Sequence, residues 1–223
     1  MTVIYGRMAI IGIGLIGSSL ALAARRAGIV NHIVGCDSNP DVAPEVARLG
    51  LVDSFTTDAL EAVADADLVV MSVPVGAIGA LARGIIPAMK PGAVLTDTGS
   101  TKRSVIRDVT PHVGDDIHWL ASHPLAGTEH SGPAAGFADL FAGRYWLILP
   151  GAVPEDEVAR FESFVAAMGA VAERMDADYH DKVLALTSHL PHLIAYTIVS
   201  TAVNLESQLK NDAAVSYTHL TLP

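Results

Sequence analysis

Residues 8–28 read MAIIGIGLIGSSLALAARRAG: a short apolar run, glycines at Gly12, Gly14 and Gly17, then an alanine- and leucine-rich segment closing on Gly28. The stretch predicts a strand over Met8–Ile13, a turn, and a helix over Leu15–Ala27. Glycines spaced GxGxxG have separate physical uses. The first permits a tight turn, the second lets the backbone approach a pyrophosphate, and the third allows close helix packing, while the helix N-terminus faces the anion. Asp37 lies 20 residues beyond Gly17, at the end of a second predicted strand, Ile33–Asp37. A carboxylate there accepts hydrogen bonds from ribose hydroxyls. It would repel a ribose 2′-phosphate, and no arginine occurs within Cys36–Asn39, so NAD is favoured over NADP. The expected cofactor contacts are Gly12, Gly14, Leu15, Ile16, Gly17 and Asp37, joined by Ser72, Pro74 and Val75 at the end of a later strand.

Outward from this unit, apolar runs alternate with helix-length segments. Strands are expected at Val52–Phe55, Leu68–Val73, Ala93–Asp97, Ile117–Ser122, Tyr145–Leu149 and Ala170–Met175, with helices at Leu60–Ala64, Ile78–Met89, Thr101–Val109 and Glu155–Met168. The strands are apolar on both faces, as a sheet covered on both sides requires. The expected fold is α/β: a Rossmann-type, doubly wound, mostly parallel sheet over residues 1–175. After Met175 the strand signal stops. Ala177, His180, Leu184, Thr187, Pro191, Ile194 and Ile198 fall near helical spacing, and Pro191 is expected to kink or interrupt that helix. Residues 176–214 therefore read as the start of an all-helical domain, apolar on most of its circumference and in need of a covering partner. Residues 215–223 do not continue that design and read as a non-native or disordered tail.

Composition limits the function. The 223 residues are 51% apolar, enough for a core, and 14 basic against 24 acidic side chains give a formal net charge of −10. Such a surface repels phosphate backbones and anionic lipid heads, which argues against nucleic-acid and membrane partners. Cys36 is the single cysteine, so no internal disulfide forms and a reducing, cytoplasmic compartment is expected. The uncharged run Met8–Ala24 resembles a secretory signal only until its glycines are counted, and Leu68–Ala82 is too short and too broken to span a bilayer.

Three further clusters carry chemistry: Asp97-Thr98-Gly99-Ser100-Thr101-Lys102, His123-Pro124-Leu125-Ala126-Gly127-Thr128-Glu129-His130-Ser131-Gly132, and Ser188-His189-Leu190-Pro191-His192. The first two each follow a predicted strand and so share the carboxyl edge with the glycine loop. A histidine just past a strand, with a hydroxyl from the neighbouring strand end, can act as general base for an alcohol, taking a proton as hydride departs. His189 and His192, three apart on one helical face, suggest either a metal site or contacts to a ligand carboxylate or hydroxyl. A zinc site would need a further ligand at a defined spacing, and no cysteine is available, so no metal is expected. Surface or core histidines are the plainer readings of each.

Taken together in order, GIGLIGSS, DTGSTK, HPLAGTEHSG and SHLPH resemble the prephenate/arogenate (cyclohexadienyl) dehydrogenase family of tyrosine biosynthesis, across about residues 5–210. The resemblance implies an NAD-dependent oxidative decarboxylation and a homodimer formed through the helical domain. By motif it implies His123 as the catalytic base and Ser100 as its hydrogen-bonding support. Thr128 and Glu129 then fall near the substrate side chain, His192 contacts substrate and His189 shapes the site. It further implies an arginine in the helical domain that binds a substrate carboxylate, whereas no arginine follows Arg174, which reads as a C-terminally truncated family member. Two alternatives remain open. Another hydroxyacid or imine oxidoreductase would need a catalytic lysine or another donor on the first helix of the second domain, where Lys182 is the sole candidate and HPLAGTE would go unexplained. A non-catalytic NAD(H)-sensing module would need the glycine loop and Asp37 alone.

Overall fold

The computed structural model describes residues 2–209, which form two compact units divided after Ala177. The first unit runs β1 (Tyr5–Ile11), α1 (Leu15–Ala27), β2 (Val30–Cys36), α2 (Ala43–Arg48), β3 (Ser54–Thr56), α3 (Ala59–Val63), β4 (Leu68–Met71), α4 (Val75–Ile85), β5 (Val94–Asp97), α5 (Arg103–Val109), β6 (His118–Pro124), β7 (Tyr145–Leu149), α6 (Glu155–Ala167) and β8 (Val171–Arg174). The eight strands form one sheet in the order β3-β2-β1-β4-β5-β6-β7-β8. Neighbours from β3 through β6 are parallel, β7 runs antiparallel to β6, and β8 is parallel to β7. The expected doubly wound, mostly parallel architecture is what the chain adopts.

Period-two alternation buries both faces of the sheet. Met8, Ile10, Leu68 and Val70 face one core with Leu20, Trp146, Phe161 and Phe164, while Ala9, Ile11, Val69 and Met71 face the other with Ile78, Val105 and Val109. Each fully buried large apolar side chain contributes about 1.5–3 kcal/mol, so the two layers dominate the stability.

Several boundaries differ from the expected ones for local reasons. β1 begins at Tyr5, before Met8, because the Tyr5 N–H donates to the Ile29 carbonyl at 3.2 Å and the Arg7 N–H to Asp67 Oδ2 at 2.7 Å. It ends at Ile11 because Gly12 takes φ +96°, a left-handed conformation that stops the strand. The helix α2 has no counterpart among the expected elements. Its prolines, Pro40 in the preceding turn and Pro44 in the first helical turn, look like breakers in sequence yet sit where a missing N–H costs nothing.

The second unit is helical: α7 (Ala177–Leu184), a π turn over Ala185–His189, and α8 (Leu190–Leu209). The interruption expected at Pro191 is absent as a break. The helix instead widens one turn ahead of the proline, with the Leu190 N–H donating to the carbonyl of Ala185 five residues back. The wide turn accommodates a ring that cannot donate to the preceding turn. By length and composition the run 177–204 would also suffice to cross a membrane. The 215–223 tail lies outside the described residues.

Candidate active site

Strand order reverses between β1 and β4, so their carboxyl ends diverge and leave a crevice. A cavity of about 410 Å³ lies there, walled by Gly12, Gly14, Cys36, Asp37, Ser72 and Pro74 among others. Of the nine expected cofactor contacts, five meet on this wall. Leu15, Ile16 and Gly17 lie behind it on α1, and the Val75 Cγ2 would sit 3.3 Å from a β-carbon on Gly99, tying α4 to the loop after β5.

The local geometry suits a dinucleotide. At Gly12 a β-carbon would lie 2.5 Å from the Ser72 carbonyl oxygen, so β1 and β4 approach too closely there for any side chain. At Gly14 a β-carbon would meet nothing within 4 Å, which leaves open space over the loop. No side chain caps α1 and no acid occupies its first turn, so its amide ends favour an anion. The Asp37 carboxylate accepts the Ile13 N–H at 3.0 Å on one oxygen and the Asn39 N–H at 3.0 Å on the other. A carboxylate has about four lone-pair sites, so capacity remains for ribose hydroxyls. Ser72 Oγ is buried without a hydrogen-bond partner among the described residues, a hydroxyl that a bound ligand can satisfy. These residues fit NAD. Cys36, which the sequence marks only as a lone thiol, is in the wall, and burial together with Asp37, Asp58 and Glu61 pushes its thiol up to about 11.

The catalytic candidates stand two strands away. His123 is 9% exposed, the last residue but one of β6, with its backbone opposite Leu147 of β7. Ser100 is exposed in the loop that follows the neighbouring strand β5. Both lie past the carboxyl end of the β5–β6 ladder, whose last paired residues are Thr96 and Leu120. Sequence reasoning missed what joins them. Asp97 and Lys102, at the two ends of the Ser100 loop, form a fully buried ion pair that also engages Ser122, the residue before His123. Burial pushes the Asp97 carboxyl upward, against the opposing pull of the Lys102 ammonium and the Gly99 and Ser122 amides. An acid and a lysine five residues apart were the available signal, but nothing local marks them as buried.

Thr128 and Glu129 are exposed in the segment between β6 and β7, where Thr128 Oγ1 accepts the His130 N–H at 3.2 Å and Glu129 Oε1 lies 3.4 Å from His130 Nε2. That segment is fastened to the dinucleotide helix: the Phe137 N–H donates to Ser19 Oγ at 3.1 Å, and a β-carbon on Gly136 would sit 2.5 Å from Ser18 Cβ. His189 and His192 belong to the second unit, His189 in the π turn and His192 in the first turn of α8. The His192 Nδ1 is 2.9 Å from the Ser188 carbonyl oxygen. A carbonyl only accepts, so Nδ1 carries the proton and Nε2 of the neutral ring presents a lone pair. Among the described residues no three His, Cys, Asp or Glu side chains converge as a metal site.

Comparison with known proteins identifies the family. Residues 20–174 match the family model for the prephenate dehydrogenase nucleotide-binding domain, and residues 176–220 that for its dimerisation domain. The cyclohexadienyl dehydrogenase of Zymomonas mobilis is 40% identical over 92% of this chain and 70% of its own length. The prephenate dehydrogenase of Lactococcus lactis is 30% identical over 86% of this chain, which spans about half, 53%, of that relative. Among solved structures, prephenate dehydrogenase from Aquifex aeolicus, in complex with hydroxyphenyl propionate and NAD+, superposes with TM-score 0.82 at 29% identity, over 89% of this chain and 70% of that one. With most of the first unit covered by the nucleotide-binding domain, the chain belongs to the prephenate dehydrogenase family.

Proposed function

We propose that this protein oxidises prephenate, arogenate or both with NAD, releasing CO2 and an aromatic product. The observation that carries the reading is His123, on the carboxyl edge of β6, two strands from a crevice whose glycines and Asp37 suit NAD. NAD bound there supplies a hydride acceptor. His123 accepts a hydrogen bond from the ring hydroxyl and takes its proton as the carbinol carbon is oxidised. Ser100 holds the hydroxyl or the imidazole in line. Loss of the ring carboxylate as CO2 leaves its bonding electrons in the ring, and the proton held by His123 returns to the phenolate oxygen. No net proton is consumed, and aromatisation supplies the driving force, so the protein's task is orientation and transient proton storage. In this reading Thr128 and Glu129 shape the substrate end of the first unit, and by likeness of motif His189 and His192 are the ligand-contacting candidates of the helical one.

The helical unit serves as the dimer interface in this reading. Leu186, Leu193, Ile194 and Ile198 are each half or more exposed on a helix matched by the dimerisation-domain model, and a second copy of the chain would cover them. That explains the apolarity of residues 177–204 without a bilayer, in keeping with a cytoplasmic enzyme.

The deciding experiment follows the appearance of reduced nicotinamide with NAD and either prephenate or arogenate in the full chain. His123→Asn is expected to lower kcat by about 10²–10⁴-fold while NADH affinity is retained. Normal turnover in His123→Asn would remove the base from this scheme, and NADH binding without response to either substrate would remove the activity.

A further inference from the structure

Past the end of the β5–β6 ladder, side chains replace the backbone pairing. The Lys102 ammonium donates to Asp97 Oδ2 and, at 2.6 Å, to the Ser122 carbonyl. The same Asp97 oxygen accepts the Gly99 N–H at 2.8 Å, and its other oxygen accepts the Ser122 N–H at 3.2 Å. The Ser122 hydroxyl donates to the Asp97 carbonyl at 2.8 Å, which leaves its lone pairs to accept from Trp146 Nε1 at 3.0 Å and the Thr96 hydroxyl at 2.9 Å. Neither Asp97 nor Lys102 has exposed side-chain surface.

Stability is a poor explanation for such a pair. Desolvating two charges offsets most of their attraction, and apolar side chains of the same volume would serve a core equally well. Its connections are more informative. They bind both ends of the loop containing Ser100 to the one residue that precedes His123, beyond the last ladder pair, Thr96 with Leu120. Without them, nothing in the ladder itself would hold that loop at a set distance from the end of β6.

We propose that Lys102 is a positioning residue for the reaction: by clamping Asp97 to Ser122 it holds Ser100 and His123 in fixed relation on the carboxyl edge. The proposal rests on the reading of His123 as the base. Lys102 itself transfers no proton in this role. A neutral replacement that preserves the volume should therefore slow the chemistry while leaving the pH dependence alone.

The test compares Lys102→Met and the neutral pair Asp97→Asn with Lys102→Met, in the full chain. The paired variant avoids leaving a buried unpaired carboxylate. It is expected to keep its near-ultraviolet circular dichroism and its NADH affinity, with kcat lowered roughly 10–100-fold, as misplacement of reacting groups produces, and both limbs of the kcat/KM pH profile kept. A kcat within about twofold of wild type in either variant that still binds NADH overturns the proposal, as does loss of one limb of the profile. Hydrogen exchange on the unaltered protein provides a measurement that no folding defect can obscure. The Gly99 and Ser122 amides should exchange at least about 100-fold more slowly than those of Thr128 and Glu129, and comparable rates would overturn the clamp. His123→Asn, assayed beside these, separates the two readings: full turnover there overturns His123 as base, whereas full turnover in the Lys102 variants with His123→Asn inactive overturns only the clamp.

Discussion

Gly17 faces the carbonyl oxygen of Gly12 so closely that a β-carbon on Gly17 would sit 2.1 Å from that oxygen. The contact is backbone against backbone, so no rotamer can relieve it. Gly17→Ala is expected to cost about 1–3 kcal/mol or more, as overpacking does, read as a lower urea midpoint with an unchanged slope. Gly14→Ala makes the opposite case. Its β-carbon meets no protein atom, so stability should change little while NADH affinity falls about tenfold or more from the lost approach to the pyrophosphate.

Asp37 presents a carboxylate that the Ile13 and Asn39 amides already orient. Replacing it by serine removes acceptors for the ribose hydroxyls and the charge that repels a 2′-phosphate. Asp37→Ser should weaken NADH binding roughly tenfold or more, the worth of a charge-assisted hydrogen bond, and narrow the preference over NADPH. Fluorescence titration with the two reduced cofactors checks it. An unchanged ratio between them would remove Asp37 as the discriminating group.

The glycine loop and Asp37 were legible because a close-packed turn leaves its requirement in the residues themselves. Both faces of each strand were likewise visible as uninterrupted apolar runs. Direction was not: Tyr145–Leu149 has the same composition whether it runs with or against β6, so the reversal of β7 was hidden. Pro40 and Pro44 concealed α2 because a proline reads as a breaker unless its place in the first turn is known. Pro191 was readable as a disturbance, but a wide turn and a break look alike in sequence. The Asp97–Lys102 pair lies inside a legible motif, yet its burial does not show there, since burial of a lysine is decided by strands distant in the chain. Ser100, His123, Thr128 and Glu129 were legible only by likeness of motif.

Cys36 should be inert in the native protein. Burial and its acidic neighbours push the thiol up to about 11, so the thiolate fraction near neutral pH is only about one in 10⁴. A thiol reagent added at pH 7 is expected to label the native chain slowly and the urea-unfolded chain at once. Occupying the crevice with NADH should slow labelling further, because Cys36 is part of its wall. Rapid native labelling would place the thiol elsewhere.

Acid should unfold the protein through Asp53 and Asp67. Burial pushes each carboxyl up, but the Ile33 amide and Arg25 outweigh it at Asp53, and Lys90 and the Arg7 amide outweigh it at Asp67, leaving both below the usual carboxylate range. Groups held low in the folded state favour folding fully above the unfolded value near 3.9, and that contribution disappears as pH falls through the folded value. Urea midpoints should therefore hold from about pH 7 to 5 and drop below about pH 4. Asp67→Asn should cost about 1 kcal/mol at neutral pH, given its partly exposed lysine partner, and flatten the acid limb.

The reversed strand β7 has a consequence for how such a chain can vary. Because β6 runs up and β7 runs down, residues 125–144 leave and re-enter the sheet on the same side, and no crossover has to span its height. The exposed first part of the segment, around residues 127–131, can change in length or sequence without moving a strand. The contacts that hold its second half, Phe137 and Gly136 against α1, Arg26 against Ala138 and Asp139, and the buried Leu140 and Phe141, all come after residue 135, so the exposed stretch around Thr128 and Glu129 can change while the sheet edge stays where it is.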